Sequence, residues 1–187
     1  MDIQKILTDH AKWLANPATG RRASLAHANL DRAILVGANL AGAIFDHANL
    51  DCAILAHANL DRANLDHANL HRAILDGVSF TGASLNGATL PDGVPVIGDI
   101  DAAILAAIGK DASGLNMNDW HCKTTHCRAG WAVKLAGKAG AKLERRFDTG
   151  TAGALIYAAS RPGMPVPNFY ATNADALADL RKCAEMA

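Results

Sequence analysis

The densest set of chemically capable side chains lies in residues 120–131, which read Trp-His-Cys-Lys-Thr-Thr-His-Cys-Arg-Ala-Gly-Trp. His121, Cys122, His126 and Cys127 are the ligand types that zinc takes in a tetrahedral array. Known zinc signatures separate two ligand pairs by a longer loop, and this spacing matches none of them. If His126 and Cys127 begin a helix, adjacent side chains there diverge by about 100°, so four donors would not converge easily. A second chemistry is that of a thiol nucleophile: Cys127 near a helix start, beside His126 and Arg128, would favour the thiolate. The third reading is structural. Cys127 shares a stripe with Trp131 and Leu135 at i+4 and i+8, and a free cysteine is often simply buried. The segment is read first as core, with zinc binding and a reactive thiol as its rivals. No Ser/His/Asp set, phosphate loop or paired-carboxylate pattern accompanies it, so the chain is expected not to be an enzyme.

What positions these residues is a chain of 187 residues, enough for one ordinary domain or two small ones. Half of it is hydrophobic, but much of that is alanine, and aromatics are only 5%. Such a chain suits closely stacked backbone with small fillers better than a bulky core. Net charge is zero, which argues against a general footprint for nucleic acid or membrane. Locally, residues 1–22 carry +2, residues 23–92 carry seven Asp and three Arg, hence −4, and residues 93–187 carry +2. The first 16 residues have charges spread through them, unlike a secretory signal. No uncharged apolar run approaches the roughly 18 residues of a membrane span. Four scattered cysteines do not make a disulfide scaffold, so a cytoplasmic protein with reduced thiols is expected.

From Ala23 to Asp92 the chain is fourteen unbroken pentapeptides, among them A-N-L-D-R, A-I-L-V-G, A-N-L-D-H and A-I-L-D-G. The central residue is Leu throughout, except Phe45 and Phe80, and the residue two before it is Ala throughout, except Val78. A period of five matches neither helix nor strand. It needs a coil that turns a corner every five residues, with leucine pointing to the axis and alanine where anything larger would clash.

These repeats resemble the pentapeptide-repeat family over about 70 of the 187 residues. The resemblance implies a right-handed quadrilateral β-helix with four pentapeptides per coil. Residues 20 apart then become axial neighbours. At strand spacing of about 4.8 Å, fourteen repeats make a rod of roughly 17 Å, whose ends need caps. Ile3, Ile6, Leu7, Trp13 and Leu14 form an amphipathic helix, stopped by Asn16-Pro17, that is expected to cover the first coil.

The register sorts the outward residues by side. Ile34, Ile54 and Ile74 fall on one side, with Val36 and Ala56 beside them, as the candidate apolar contact strip. It would pack on the protein's own helices, on a second copy in a homodimer, or on a foreign protein. His27, His47 and His67 form another column, read as solvated residues or as metal ligands. Some members of the family are DNA mimics that bind DNA gyrase. Duplex DNA of this length would carry about ten charges, against the net −4 here, and Arg32, Arg62 and Arg72 interrupt the acidic surface.

Past Pro91-Asp92-Gly93 the pattern becomes helical. Asp99 is placed to cap a helix striped by Ile100, Ile104 and Ile108, and Thr125 another that starts near His126. Gly137 and Gly140 weaken or divide the latter. Thr149 or Thr151 opens a third, Pro165 and Pro167 mark an extended linker, and Asn173 opens the last. Lys134, Lys138, Lys142, Arg145 and Arg146 form a basic side that reads as solvated or as the seat of an acidic partner. Without interleaved aromatics, nucleic acid is disfavoured.

The expected architecture is therefore a mainly β solenoid plus α. A capping helix spans 1–22, a pentapeptide-repeat β-helix 23–92 and a small α-helical domain 93–187. The expected function is non-catalytic binding or scaffolding through the solenoid faces and the helical domain, with a protein partner or homodimer and no membrane. Gyrase mimicry and a zinc or thiol module at 121–127 are the alternatives, and otherwise no cofactor is expected.

Overall fold

The computed structural model describes residues 1–109, 111–118 and 126–185. They form two compact units, Met1–Asp92 with Gly163–Val166, and Gly93–Pro162 with Pro167–Ala187.

In the first unit the period of five is a period of turns. The N–H of Ala28 donates to the carbonyl of Leu25, that of Ala33 to Leu30, and so on around the coil. Each turn places its third residue in the left-handed region, with φ between 55° and 60° at His27, Arg32, His47, Cys52, His57, Arg62, His67 and Arg72. Between turns the chain is extended for a residue or two, long enough for one parallel bridge. Bridges join Ser24 to Ile44, Asn29 to Asn49, Ile34 to Ile54 and Asn39 to Asn59, and recur on the next coil. Four pentapeptides thus complete one coil, as the resemblance implied. Each bridge carries hydrogen bonds to both neighbours: Leu30 N–H reaches Asn49 O at 2.7 Å, and Asn49 N–H reaches Ala28 O at 2.9 Å.

The axis is filled by the central residues, all buried from Leu25 to Leu85, with Phe45 and Phe80 among them. Alanines such as Ala43, Ala53, Ala63 and Ala73 are buried beside them, where the turns bring the backbones close. Burying each leucine is worth about 1.5–3 kcal/mol, so the stacked column is the main stabilising term of this unit.

The first coil is covered by α1, Ile3–Ala15, capped by the Asp2 carboxylate accepting from Lys5 N–H. His10 is fully buried in α1; its Nδ1 accepts from Ala23 N–H at 3.1 Å, and its ring stacks on Trp13. Burial holds the His10 pKa below the ordinary histidine value, and the charge of Arg22 acts in the same direction. The last coil is extended by a segment from far along the chain. Val166 N–H donates to Ala83 O at 2.9 Å, and Gly82 N–H donates to Val166 O at 2.8 Å. The expectation of a linker at Pro165 and Pro167 is corrected here. Both prolines lack N–H groups, but Val166 between them has one, and it pairs.

The second unit holds α2 (Ile100–Ile108), α3 (Arg128–Leu135), α4 (Gly137–Phe147), α5 (Thr149–Ser160) and α6 (Asn173–Glu185). The stripe Ile100, Ile104 and Ile108 is buried as expected. Helix starts differ from the expected ones. Asp99 sits at the N-cap of α2 but makes no side-chain cap bond. Helix α3 begins at Arg128, with Cys127 as its cap, and Thr125 lies outside the described residues. Asp148 caps α5 by accepting from Thr151 N–H. Thr172 Oγ1 accepts from Asp175 N–H at the start of α6. At Gly137, with φ 58°, α3 ends and α4 begins, a conformation that glycine adopts without steric cost. Among the described residues no helix is long and apolar enough to cross a membrane.

Candidate functional site

The apolar strip lies along the side built by the bridges Ile34–Ile54 and Ile54–Ile74. Ile34 is 72% exposed, Val36 54% and Ile74 43%, while Ile54 and Ala56 are half-buried. Backbone bonds on both sides fix the strip: Leu35 N–H to Ile54 O at 2.8 Å, and Leu55 N–H to Ile74 O at 2.9 Å.

The neighbouring side is polar but committed to its own structure. Asn49 Nδ2 donates to Asn29 Oδ1 at 3.2 Å, and Asn69 Nδ2 to Asn49 Oδ1 at 3.1 Å. The Oδ1 atoms of Asn29, Asn49 and Asn69 accept from Asp31, Asp51 and His71 N–H respectively, so each asparagine also pins the turn that follows it. Two aspartates are similarly used. Asp61 accepts from Ser79 Oγ and Thr81 N–H, and Asp66 from Ser84 Oγ and Asn86 N–H.

The histidine column exists as a stack. Rings of His27 and His47 are 5.1 Å apart and those of His47 and His67 4.6 Å, nearly parallel in both cases. The stack ends where His67 leans over Gly87, whose missing Cβ would lie 2.5 Å from the imidazole Nδ1.

In the second unit, His126 and Cys127 are both buried, and their side chains serve different partners. His126 Nε2 is 3.0 Å from Lys134 Nζ, and its ring meets Trp131 edge-on at 4.9 Å. Cys127 Sγ accepts from Gly130 N–H at 3.3 Å, and burial pushes its thiol pKa up. His121 and Cys122, the other two members of the proposed zinc set, lie outside the described residues.

Next to Cys127 is a group that sequence reasoning missed. Arg128 is 1% exposed; its Nε donates to Tyr157 Oη at 2.8 Å, one Nη to Asp101 at 2.5 Å and the other to Asp179. Arg161 donates to the second Asp101 oxygen at 2.8 Å. Burial works against the Arg128 charge, but Tyr157, Asp179 and Asp101 outweigh it and hold its pKa above the usual arginine value. Burial also works to raise the Asp179 carboxyl, and Arg128 overrides it, holding that carboxyl below the ordinary value. With each charge paired and hydrogen-bonded, the group acts as a tie between α2, α3, α5 and α6. Its only sequence signal was an arginine inside an otherwise apolar stretch.

The family model for Pentapeptide repeats (8 copies) matches residues 21–55 and 53–90. No curated protein matches the chain. Among solved structures, HetL of the cyanobacterium Nostoc sp. strain PCC 7120, a pentapeptide repeat protein involved in heterocyst differentiation regulation, is 33% identical. That match covers 37% of this chain and 45% of HetL, with TM-score 0.23, so the chain spans less than half of HetL. A second pentapeptide repeat protein from Nostoc PCC 7120 is 30% identical over 43% of this chain and 70% of its own, with TM-score 0.25. QnrB1, a plasmid-mediated fluoroquinolone resistance protein, is 20% identical over 40% of this chain and 52% of its own, with TM-score 0.23. Membership rests on the repeats themselves and not on superposition: through residues 21–90 the chain belongs to the pentapeptide repeat family.

Proposed function

We propose that the protein is a non-catalytic binding protein whose solenoid presents the Ile34–Ile54–Ile74 side to a protein partner. One observation carries this reading: three large aliphatic side chains, two of them with Val36 widely exposed, stand in one rigid column. Exposed aliphatic ladders cost solubility, and contiguous ones mark contact surfaces. A side roughly 17 Å long is small against the 1,000 Å² or so that a stable dimer interface buries. The strip thus suits a partner that also reaches beyond it, and a homodimer through this side alone would be weak.

The His126–Cys127 segment is read as structural. A thiol that caps a helix, with its pKa raised by burial, is poorly placed as a nucleophile. Gyrase mimicry draws little support from the charges. Asp51 is paired with Arg72, and Asp61 and Asp66 accept bonds from the next coil, which leaves few aspartates free to imitate phosphates.

The test is site-specific photo-crosslinking from position 34 in the full chain, with Asn39 on the adjacent side as control. The expected result is one adduct specific to position 34, lost when Ile74→Glu is added while the thermal midpoint stays unchanged. Equal labelling from both positions would sink the reading. Protection of DNA gyrase in a supercoiling assay, undiminished by Ile74→Glu, would favour the mimic instead.

A further inference from the structure

The one fully buried residue of α1 is also its one imidazole, His10. Ile3, Ile6, Leu7, Trp13 and Leu14 are only half-buried, so the cap is fastened at a group that can take a proton. In every later pentapeptide the corresponding N–H, from Ala28 to Ala88, donates to the carbonyl three residues before it. Ala23 precedes the first such turn, and His10 supplies its acceptor instead. A backbone N–H only donates, so this bond fixes His10 Nδ1 as an acceptor and puts the ring proton on Nε2. Nε2 is buried and has no hydrogen-bond partner among the described residues, so neither ring nitrogen meets a carboxylate. The charges nearby do not invite a second proton. On the solenoid side, Arg22 lies over the Trp13 ring, 5.9 Å from its centroid, and that ring stacks on His10. On α1, Asp9 and Lys12 pair with each other at 3.7 Å. Burial opposes a charge on the imidazole most; the Ala41 backbone works the other way, and Arg22 adds to burial.

We propose that α1 is an acid-released lid on the first coil: a second proton, taken at His10 Nδ1, turns the acceptor of Ala23 N–H into a donor, expels the ring and lifts the helix away. With the ring in place, two N–H groups would face each other across the 3.1 Å that now holds one hydrogen bond. Both would be buried and unpaired, the arrangement that folded proteins avoid. Besides His10, the backbone tie of α1 to the start of the solenoid is Arg21 N–H to the Asp9 carbonyl at 3.0 Å. The closed lid holds His10 neutral, whereas the open lid lets it titrate near the ordinary histidine value of about 6.5. The hold is therefore complete above that pH. It weakens as the pH falls below it, by up to about tenfold per pH unit. Ser24, Asn29, Ile34 and Asn39 bridge to the second coil alone among the described residues. Lifting α1 bares the other edge of that first coil, and an unpaired strand edge is open to added strands. The lid thus ties access to that edge to acidity.

The test follows amide hydrogen exchange of the full chain by NMR at pH 7.5 and pH 5.0, expressed as protection factors. The expected result is a fall of at least tenfold at Ala23 in acid, while the Leu55 amide, bonded to Ile74 O in the middle of the solenoid, holds. The fall tracks protonation of the His10 ring, read from its nitrogen chemical shifts. His10→Asn keeps an acceptor oxygen for Ala23 N–H but cannot take a proton, so its Ala23 protection changes less than about twofold. His47→Asn, which breaks the outer imidazole stack, responds to acid as the parent does. Ala23 protection that survives pH 5.0 overturns the proposal, as does a loss shared equally with Leu55. So does a loss that persists in His10→Asn or disappears in His47→Asn. Should His10→Asn leave Ala23 unprotected at both pH values, the parent decides: protection lost while the His10 ring is still neutral overturns the proposal, and loss in step with the ring supports it.

Discussion

Arg128 has the largest of the fully buried side chains, and its removal is not a matter of lost packing alone. Arg128→Met leaves Asp101 with Arg161 and the Tyr157 hydroxyl, and takes from Asp179 the guanidinium it is paired with. Breaking a buried pair from one side costs about 3–5 kcal/mol. Urea unfolding followed by near-ultraviolet circular dichroism should show a loss of that size. A loss below about 1 kcal/mol would mean that the tie contributes nothing net. Beyond the arginine amid apolar residues, none of this was legible in the sequence. An arginine is read by default as exposed, and its partners stand 27, 29 and 51 residues away. The residue that makes the network is the neighbour of His126 and Cys127, which are themselves buried.

At the scale of elements, the solenoid was the most readable part, because its two inward positions tolerate so little. Leucine and alanine repeat since each fills one space, and the coil length followed from the resemblance. What the letters did not show was the corner. The fifth position, holding His, Arg, Gly or Cys, looks degenerate because its requirement is conformational. From His27 to Gly87 each occupant sits at φ near +60°, which costs a non-glycine residue about 1–2 kcal/mol. Glycine at 77 has a further reason, since a Cβ there would lie 2.5 Å from His57 Nδ1. Gly77→Ala should therefore lower the urea midpoint by more than the backbone term. In a His57→Ala background the same change should cost only about 1 kcal/mol. Equal costs in both backgrounds would show that the ring moves aside freely. Helix caps were read less well, because Ser, Thr, Asp and Asn near a helix start are interchangeable by composition, and only geometry picks Asp148 over Thr149.

For the whole molecule, the two units are not two consecutive lengths of chain. Gly163–Val166 belongs with the first, although all of α2 to α5 intervenes. Pro165 and Pro167 read as linker because proline interrupts regular structure, and a single pairing residue between them leaves no pattern to detect. Val166→Pro removes the N–H that reaches Ala83 and should fray the last coil. Native-state hydrogen exchange of the Gly82 amide should accelerate at least tenfold, while that of the Leu55 amide holds. Unchanged exchange at Gly82 would mean that its bond to Val166 is not formed in solution.

That borrowed residue also sets a clock on synthesis. Coils built from residues 23–90 can close as they leave the ribosome, each resting on the one before. The final rung waits for Val166, some 80 residues later, or about 4–16 s at ordinary translation rates of 5–20 residues per second. For that interval the nascent solenoid carries an unpaired strand edge at Gly82 and Ala83, of the kind that recruits other strands. Slow translation between codons 90 and 166 would lengthen the exposure, so the yield of this protein is tied to the pace at which its helices are made.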